Sequence, residues 1–174
     1  VIIGMHHQQD MRYMGGLRRK MPITWLVSLI GSLALIGFPF FSGFYSKDSI
    51  IEAVHLSTIP GSGFAYAAVL IGVFITALYS FRMYFLVFEG EYRGGSGQHD
   101  HAGHQHHDPH ESPMVVWMPL VVLAVLSIVS GAISIESILF GGYFDDVIFV
   151  LSSHDVVEKF GEHFHGWLAM GLHG

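Results

Sequence analysis

The chain reads as an all-α, polytopic transmembrane helix bundle fragment. Three observations carry that reading. Only 13% of the 174 residues are charged, about half the roughly 25% of a soluble domain. The mean hydropathy is +0.49. Three runs, 21–46, 56–81 and 112–135, contain 26, 26 and 24 residues without an acid, a base or a histidine. A helix rises about 1.5 Å per residue, so about 20 residues cross the hydrocarbon core, and each run is long enough.

The same composition removes several function classes. Eight Lys and Arg against 14 Asp and Glu leave a net charge of −6, too few bases for a broad nucleic-acid face. An apolar content of 51% is incompatible with disorder. There is no cysteine, hence no disulfide, thiol nucleophile, iron–sulfur ligand or Cys-based zinc site. Nucleotide loops, a Ser-His-Asp order, haem or quinone motifs and paired hydrolytic carboxylates are absent as well. A start at Val1 and an end inside the apolar run 167–172 lead us to expect an internal piece of a longer protein.

Taken in order, residues 1–21 form a loop whose stretch 6–20 holds His6, His7, Asp10, Arg12, Arg18, Arg19 and Lys20. Residues 22–57 form a broken transmembrane helix. Its middle reads Gly37-Phe38-Pro39-Phe40-Phe41-Ser42-Gly43. Proline removes a backbone donor and clashes with the preceding turn, and glycine loosens both sides. Broken backbone at membrane depth is tolerated only when buried in protein or facing water, and it often marks an ion route. A simple proline kink fits these residues equally well. Lys47, Asp48 and Glu52 follow. Asp48 and Glu52 share a helix face, and ionisable groups within a membrane are usually functional. A straight helix from Pro22, however, carries Lys47 to the far interface, where a lysine snorkels. There Ser49-x-x-Glu52 reads as the cap of an interfacial helix. Spacing alone favours that interfacial reading.

A Thr-Ile-Pro-Gly-Ser-Gly turn at 58–63 leads to a second span, 63–88, in which Arg82 beside Tyr79 and Tyr84 reads as an interfacial anchor. His55, near that turn, and Glu136, just past the third span, also read as interfacial. Residues 89–111 form a His-rich loop with His99, His101, His104, His106, His107, His110, Asp100, Asp108 and Glu111. Imidazole and carboxylate suit Zn, Ni or Cu. The run is rich in Gly and His and has almost no apolar residues to build a cage, so it reads as a solvated loop with no defined metal site. His6, His7 and Asp10 read as a capped helix end or, as the minority reading, a place where protons enter. The third span is 113–135. Residues 136–161 form an external loop, and 162–174 start a truncated helix. The first loop holds four Lys and Arg and the 58–63 turn none. The positive-inside rule therefore places 6–20 and 89–111 in the cytoplasm.

Several stretches together resemble a known family. They are Met5-His6-His7-Gln8-Gln9-Asp10-Met11-Arg12, Met14-Gly15-Gly16-Leu17-Arg18-Arg19-Lys20-Met21-Pro22, Gly31-Ser32-Leu33-Ala34-Leu35-Ile36-Gly37-Phe38-Pro39 and Ser42-Gly43-Phe44-Tyr45-Ser46-Lys47-Asp48. Ala77-Leu78-Tyr79-Ser80-Phe81-Arg82-Met83, His110-Glu111-Ser112-Pro113 and His163-Phe164-His165-Gly166-Trp167 extend the match. The sequence resembles the large antiporter-like, proton-translocating membrane subunits (subunit L) of bacterial respiratory complex I, NADH:quinone oxidoreductase. The resemblance implies an inner (plasma) membrane protein that moves protons. NADH, FMN, iron–sulfur clusters and quinone would be held by other subunits, and none by this chain. Its partners would be the other membrane-arm subunits and the lipid bilayer.

In that family a lysine on a broken helix ends the proton channel, and Lys47 stands at the matching position. The resemblance thus reverses the interfacial reading and implies a proton route through Lys47. Asp48 and Glu52 are weaker exit-side candidates, and His6 and His7 are candidates near the cytoplasm. The break at Gly37, Pro39, Ser42 and Gly43 would supply water and backbone freedom. The family's other channel residues lie on earlier helices that are missing here, so this piece is not expected to pump alone. Two rivals are the large subunit of a multisubunit Na⁺/H⁺ antiporter, which shares this ancestry, and a metal transporter or sensor using the His-rich loop.

Overall fold

A computed structural model describes residues 1–94 and 108–141, together with residues 143, 147, 155–157 and 161. His99, His101, His104, His106 and His107, and the whole of 162–174, lie outside the described residues. Among the described residues all regular structure is helical. Four α-helices follow one another: α1 (Pro22–Ile36), α2 (Ser42–Leu56), α3 (Ser62–Phe88) and α4 (Met114–Ile135). Short 3₁₀ turns at Met11–Tyr13 and Leu17–Arg19 precede α1, and a π-helical turn at Glu136–Phe140 follows α4.

α3 and α4 are long and apolar enough to cross a membrane, at 27 and 22 residues. A soluble core helix passes the same length test, but it buries its apolar side chains. Here only 6% of the most apolar window of α3 and 11% of that of α4 is buried. Phe74, Leu78, Phe85, Leu123 and Ile133 all face outward. That inversion suits a lipid surface, where outward apolar groups cost nothing. α1 is a different case. Its 15 residues reach only about 22 Å, too short to span by itself.

The chain divides into two compact units: residues 1–32 with 78–124, and residues 33–77 with 125–174. In the first, the loop before α1 packs on the end of α3. Met5, Met14, Leu17, Met21, Tyr84, Val87 and Phe88 form its buried core, with Trp25 and Leu29 packed against it. The Gly16 amide donates to the Glu89 carbonyl at 3.0 Å. In the second, Phe44 and Tyr45 of α2 pack on Ile135 and Ala132 of α4. Gly131 makes this approach possible. A Cβ there would stand 2.5 Å from Ser42 Cα and 2.7 Å from Tyr45 Cδ2.

The interruption between α1 and α2 is a turn of the backbone, not a kink. Phe41 N donates to Phe38 O at 3.1 Å, which closes a four-residue turn with Pro39 in its second place. Proline is favoured there because its φ is already fixed near the required value. The third place needs a positive φ when the turn is of type II, and glycine usually fills it. This chain puts Phe40 there at φ 72°. A left-handed L-residue costs about 1–2 kcal/mol. Phe40→Gly should therefore leave the thermal midpoint unchanged or raise it. Phe40→Val, β-branched in a left-handed position, should cost at least about 1 kcal/mol. Thermal unfolding of the two variants in detergent checks the pair, and a lower midpoint for the glycine variant than for valine would refute the strain.

Candidate functional site

The site is built from the way α1 ends. The last carbonyls of a helix have no partner within it, and in a membrane water does not supply one. Gly37, at φ 80°, takes the left-handed position after the last turn, which glycine occupies without a Cβ penalty. Phe38 N then donates to Leu33 O at 2.9 Å, and Gly37 N to Ala34 O at 3.3 Å. These two bonds are the Schellman pattern of a helix C-terminus. The next carbonyl, that of Leu35, accepts from the Lys47 ammonium.

That contact fixes the geometry of the break. In one continuous helix the twelve residues from Leu35 to Lys47 would span about 18 Å. In the structure they meet, because α2 turns back beside the last turn of α1. Gly43 sits so close to α1 that a Cβ would overlap the Ala34 carbonyl oxygen. Only a residue without a side chain fits there. The straight helix assumed in carrying Lys47 to the far interface is thus not the one the chain forms. Lys47 is half-buried, and its ammonium stands at the end of α1 where the helix dipole is negative.

Asp48 and Glu52 are half-buried on the same helix, one turn apart. Among the described residues neither carboxylate forms an ion pair with Lys47, which is paired instead with backbone. Ser42, Pro39, Gly37 and Gly43 belong to the same unit. On another side of α2, Ser42, Tyr45, Ser49, Gly131 and Ile135 border a cavity of about 430 Å³ with a mainly apolar lining. His6 and His7 belong to the other unit. Both are exposed and left-handed, at φ 52° and 70°, and the His6 ring lies 5.3 Å from that of His110. Among the described residues no group of three His, Asp or Glu is placed to hold a metal.

The structure gives roles to residues that the sequence reading left without one. Pro22 opens α1 and has no N–H, so the next amides are the open donors. The Glu111 carboxylate takes them: Ile23 N at 2.9 Å, Thr24 N at 3.3 Å and Thr24 Oγ1 at 2.5 Å. Pro22 signalled the need, but nothing local named a partner 88 residues away. Glu89 accepts from Trp25 Nε1 at 3.3 Å and lies 3.7 Å from Arg18, whose guanidinium stacks over the Trp25 ring at 4.6 Å. Lys20 pairs with Asp108 at 2.6 Å.

At the surface, the Arg12 guanidinium hydrogen-bonded to Asp10 holds the Asp10 carboxyl below the usual carboxylate range. The contribution of that pair is present above the ordinary carboxyl pKa and fades as acid protonates Asp10. The pair is solvent-screened and contributes little to stability.

Comparison with known proteins gives one family match and a set of relatives. Residues 1–87 match the family model described as NADH:quinone oxidoreductase/Mrp antiporter, transmembrane. The chain is 57% identical to the NADH-quinone oxidoreductase subunit L of Neisseria meningitidis serogroup B, over 99% of this chain and 27% of that protein. It is 44% identical to subunit L of Rhodobacter capsulatus, over 76% of this chain and 19% of that protein. It is also 44% identical to NADH-ubiquinone oxidoreductase chain 5 of Phytophthora infestans, over 77% of this chain and 19% of that protein. The chain thus spans about a quarter of the length of the Neisseria relative and about a fifth of the other two.

The Glu111 cap has a measurable consequence. Glu111→Ala removes the acceptor for the first turn of α1 and should destabilise the protein by about 1 kcal/mol, the usual cost of a lost N-cap. Glu111→Gln keeps an acceptor oxygen and should recover most of that loss. Thermal unfolding of both variants checks this, and equal midpoints for Ala and wild type would refute it.

Proposed function

We propose, from the premise that this chain belongs to the NADH:quinone oxidoreductase/Mrp antiporter transmembrane family, that it is part of a proton-translocating subunit of NADH:quinone oxidoreductase. It is a membrane protein, and on this reading the membrane is the inner (plasma) membrane, with 6–20 and 89–111 on the cytoplasmic side. One observation carries the reading: a half-buried lysine reaches the open carbonyl of an interrupted transmembrane helix. An amine can gain and lose a proton without other chemistry, and inside a membrane such a group marks a proton or ion path.

The mechanism follows from the site. Lys47 takes a proton from the inner half of the route and holds it as an ammonium against Leu35 O. A change in the charge of its surroundings, driven by electron transfer elsewhere in the complex, releases the proton outward. Asp48 and Glu52 are candidate stations on the exit side. His6 and His7, exposed and in the other unit, are candidates on the cytoplasmic side. The turn at Gly37–Gly43 supplies the broken backbone that gives Lys47 its partner.

With no cysteine in the chain, it offers no thiolate for an iron–sulfur cluster. Redox chemistry with NADH, FMN, clusters and quinone is assigned to partner subunits. The reading as a subunit of a separate Na⁺/H⁺ antiporter shares the family. The relatives' names, oxidoreductase subunit L and chain 5, favour the oxidoreductase.

The test is Lys47→Ala in the full-length protein, assembled in its complex in inverted membrane vesicles, with NADH oxidation and proton uptake recorded together. Proton transfer through this segment should slow on the order of tenfold or more, so fewer protons are taken up per NADH oxidised. Lys47→Arg, always charged, should fail similarly. Unchanged proton uptake per NADH in an assembled complex would overturn the reading.

A further inference from the structure

The Lys47 side chain reaches the Leu35 carbonyl by passing the α-carbon of Gly37. A Cβ at Gly37 would stand 3.2 Å from Lys47 Cδ, with Gly43 O at 3.6 Å and Phe44 Cα at 3.7 Å. The first distance is tighter than ordinary carbon contacts, so one of the two atoms must yield. Gly43 O and Phe44 Cα belong to the backbone of the first turn of α2. That turn is pinned, because Gly43 abuts Ala34 and Phe44 is buried against the α4 end. The lysine stem is the part free to move.

Gly37 therefore has two separable functions. Its φ of 80° ends α1, and its missing side chain is the space through which the lysine passes. Gly90 supplies the comparison. Its φ is 79°, and a Cβ there would meet nothing within 4 Å. The same backbone demand thus exists in this chain without the lysine.

We infer that Gly37 is a positioning residue for Lys47: the lysine stem passes through the open space at its α-carbon on the way to the Leu35 carbonyl, and a side chain there displaces the stem and weakens that contact. The inference rests on the reading of Lys47 as the proton carrier only for its effect on transport. The seating of the amine is a matter of geometry and can be read independently.

Two measurements on the full-length protein in its complex test it. The first is the rate at which an amine-acylating reagent modifies Lys47 in membrane vesicles, read by mass spectrometry. Loss of a hydrogen bond to a charged donor is worth about tenfold in exposure of that donor. Gly37→Ala should therefore speed the labelling of Lys47 by up to about tenfold, while Gly90→Ala should leave it unchanged. The second is a double-mutant cycle on protons taken up per NADH oxidised. If Gly37 acts through Lys47, Gly37→Ala should lower uptake alone but add nothing to Lys47→Ala. Gly37→Asn tolerates positive φ and carries the same cycle if the alanine variant does not assemble.

Additive losses in the cycle, or equal labelling rates in the Gly37→Ala and Gly90→Ala proteins, would overturn the inference. If labelling accelerates while Lys47→Ala itself leaves uptake unchanged, the seating stands and the proton-carrier reading falls.

Discussion

A helix that stops must find donors for its last carbonyls, and the rest of the α1–α2 region depends on how that is done. A carbonyl left unpaired away from water costs several kcal/mol. Three successive carbonyls at the end of α1 are satisfied from beyond the helix, by Phe38 N, Gly37 N and the Lys47 ammonium. The first two bonds require the left-handed Gly37. The third requires α2 to turn back, and the turn requires Gly43 to abut Ala34. The lysine's position thus goes with a carbonyl that the helix leaves open, which ties a charged side chain to the place where the chain is interrupted.

The opposite end of α1 obeys the same rule with the opposite sign. Its open amides are taken by the Glu111 carboxylate. A short helix therefore carries an anion at its N-terminus and a cation at its C-terminus, the pairing its dipole favours. The anion comes from 88 residues away and the cation from the next helix, so each cap is also a tie between elements. The Glu111 cap anchors the approach to α4, and the Lys47 cap anchors α2.

Several features were legible in the residues alone. The uncharged runs gave the all-α membrane class, because hydrocarbon thickness sets helix length. Gly37, Pro39 and Gly43 marked an interruption, though a kink and a break read alike at that level. The straight-helix estimate put Lys47 about 18 Å beyond Leu35, where the structure has the two in contact. That estimate failed because rise per residue holds only while the helix continues, and α1 stops at Ile36. Glu111 read as one carboxylate of a His-rich loop. Nothing in its own neighbourhood tells that Ile23 and Thr24 are its partners.

Sequence by itself determined the chemistry available to this chain: apolar spans, no cysteine, a lysine and two carboxylates beyond a Pro-Gly break. These are properties of residue type and local period, and they need no knowledge of what touches what. Only the tertiary structure decided where the chemistry points. It set Lys47 on a carbonyl instead of a carboxylate, gave Glu111 to α1, and kept the left-handed turn at Phe40. Those outcomes depend on which backbone groups each side chain and turn meets, from three residues apart at Phe40 to 88 at Glu111, and such a hydrogen bond is fixed by packing, not by spacing along the sequence.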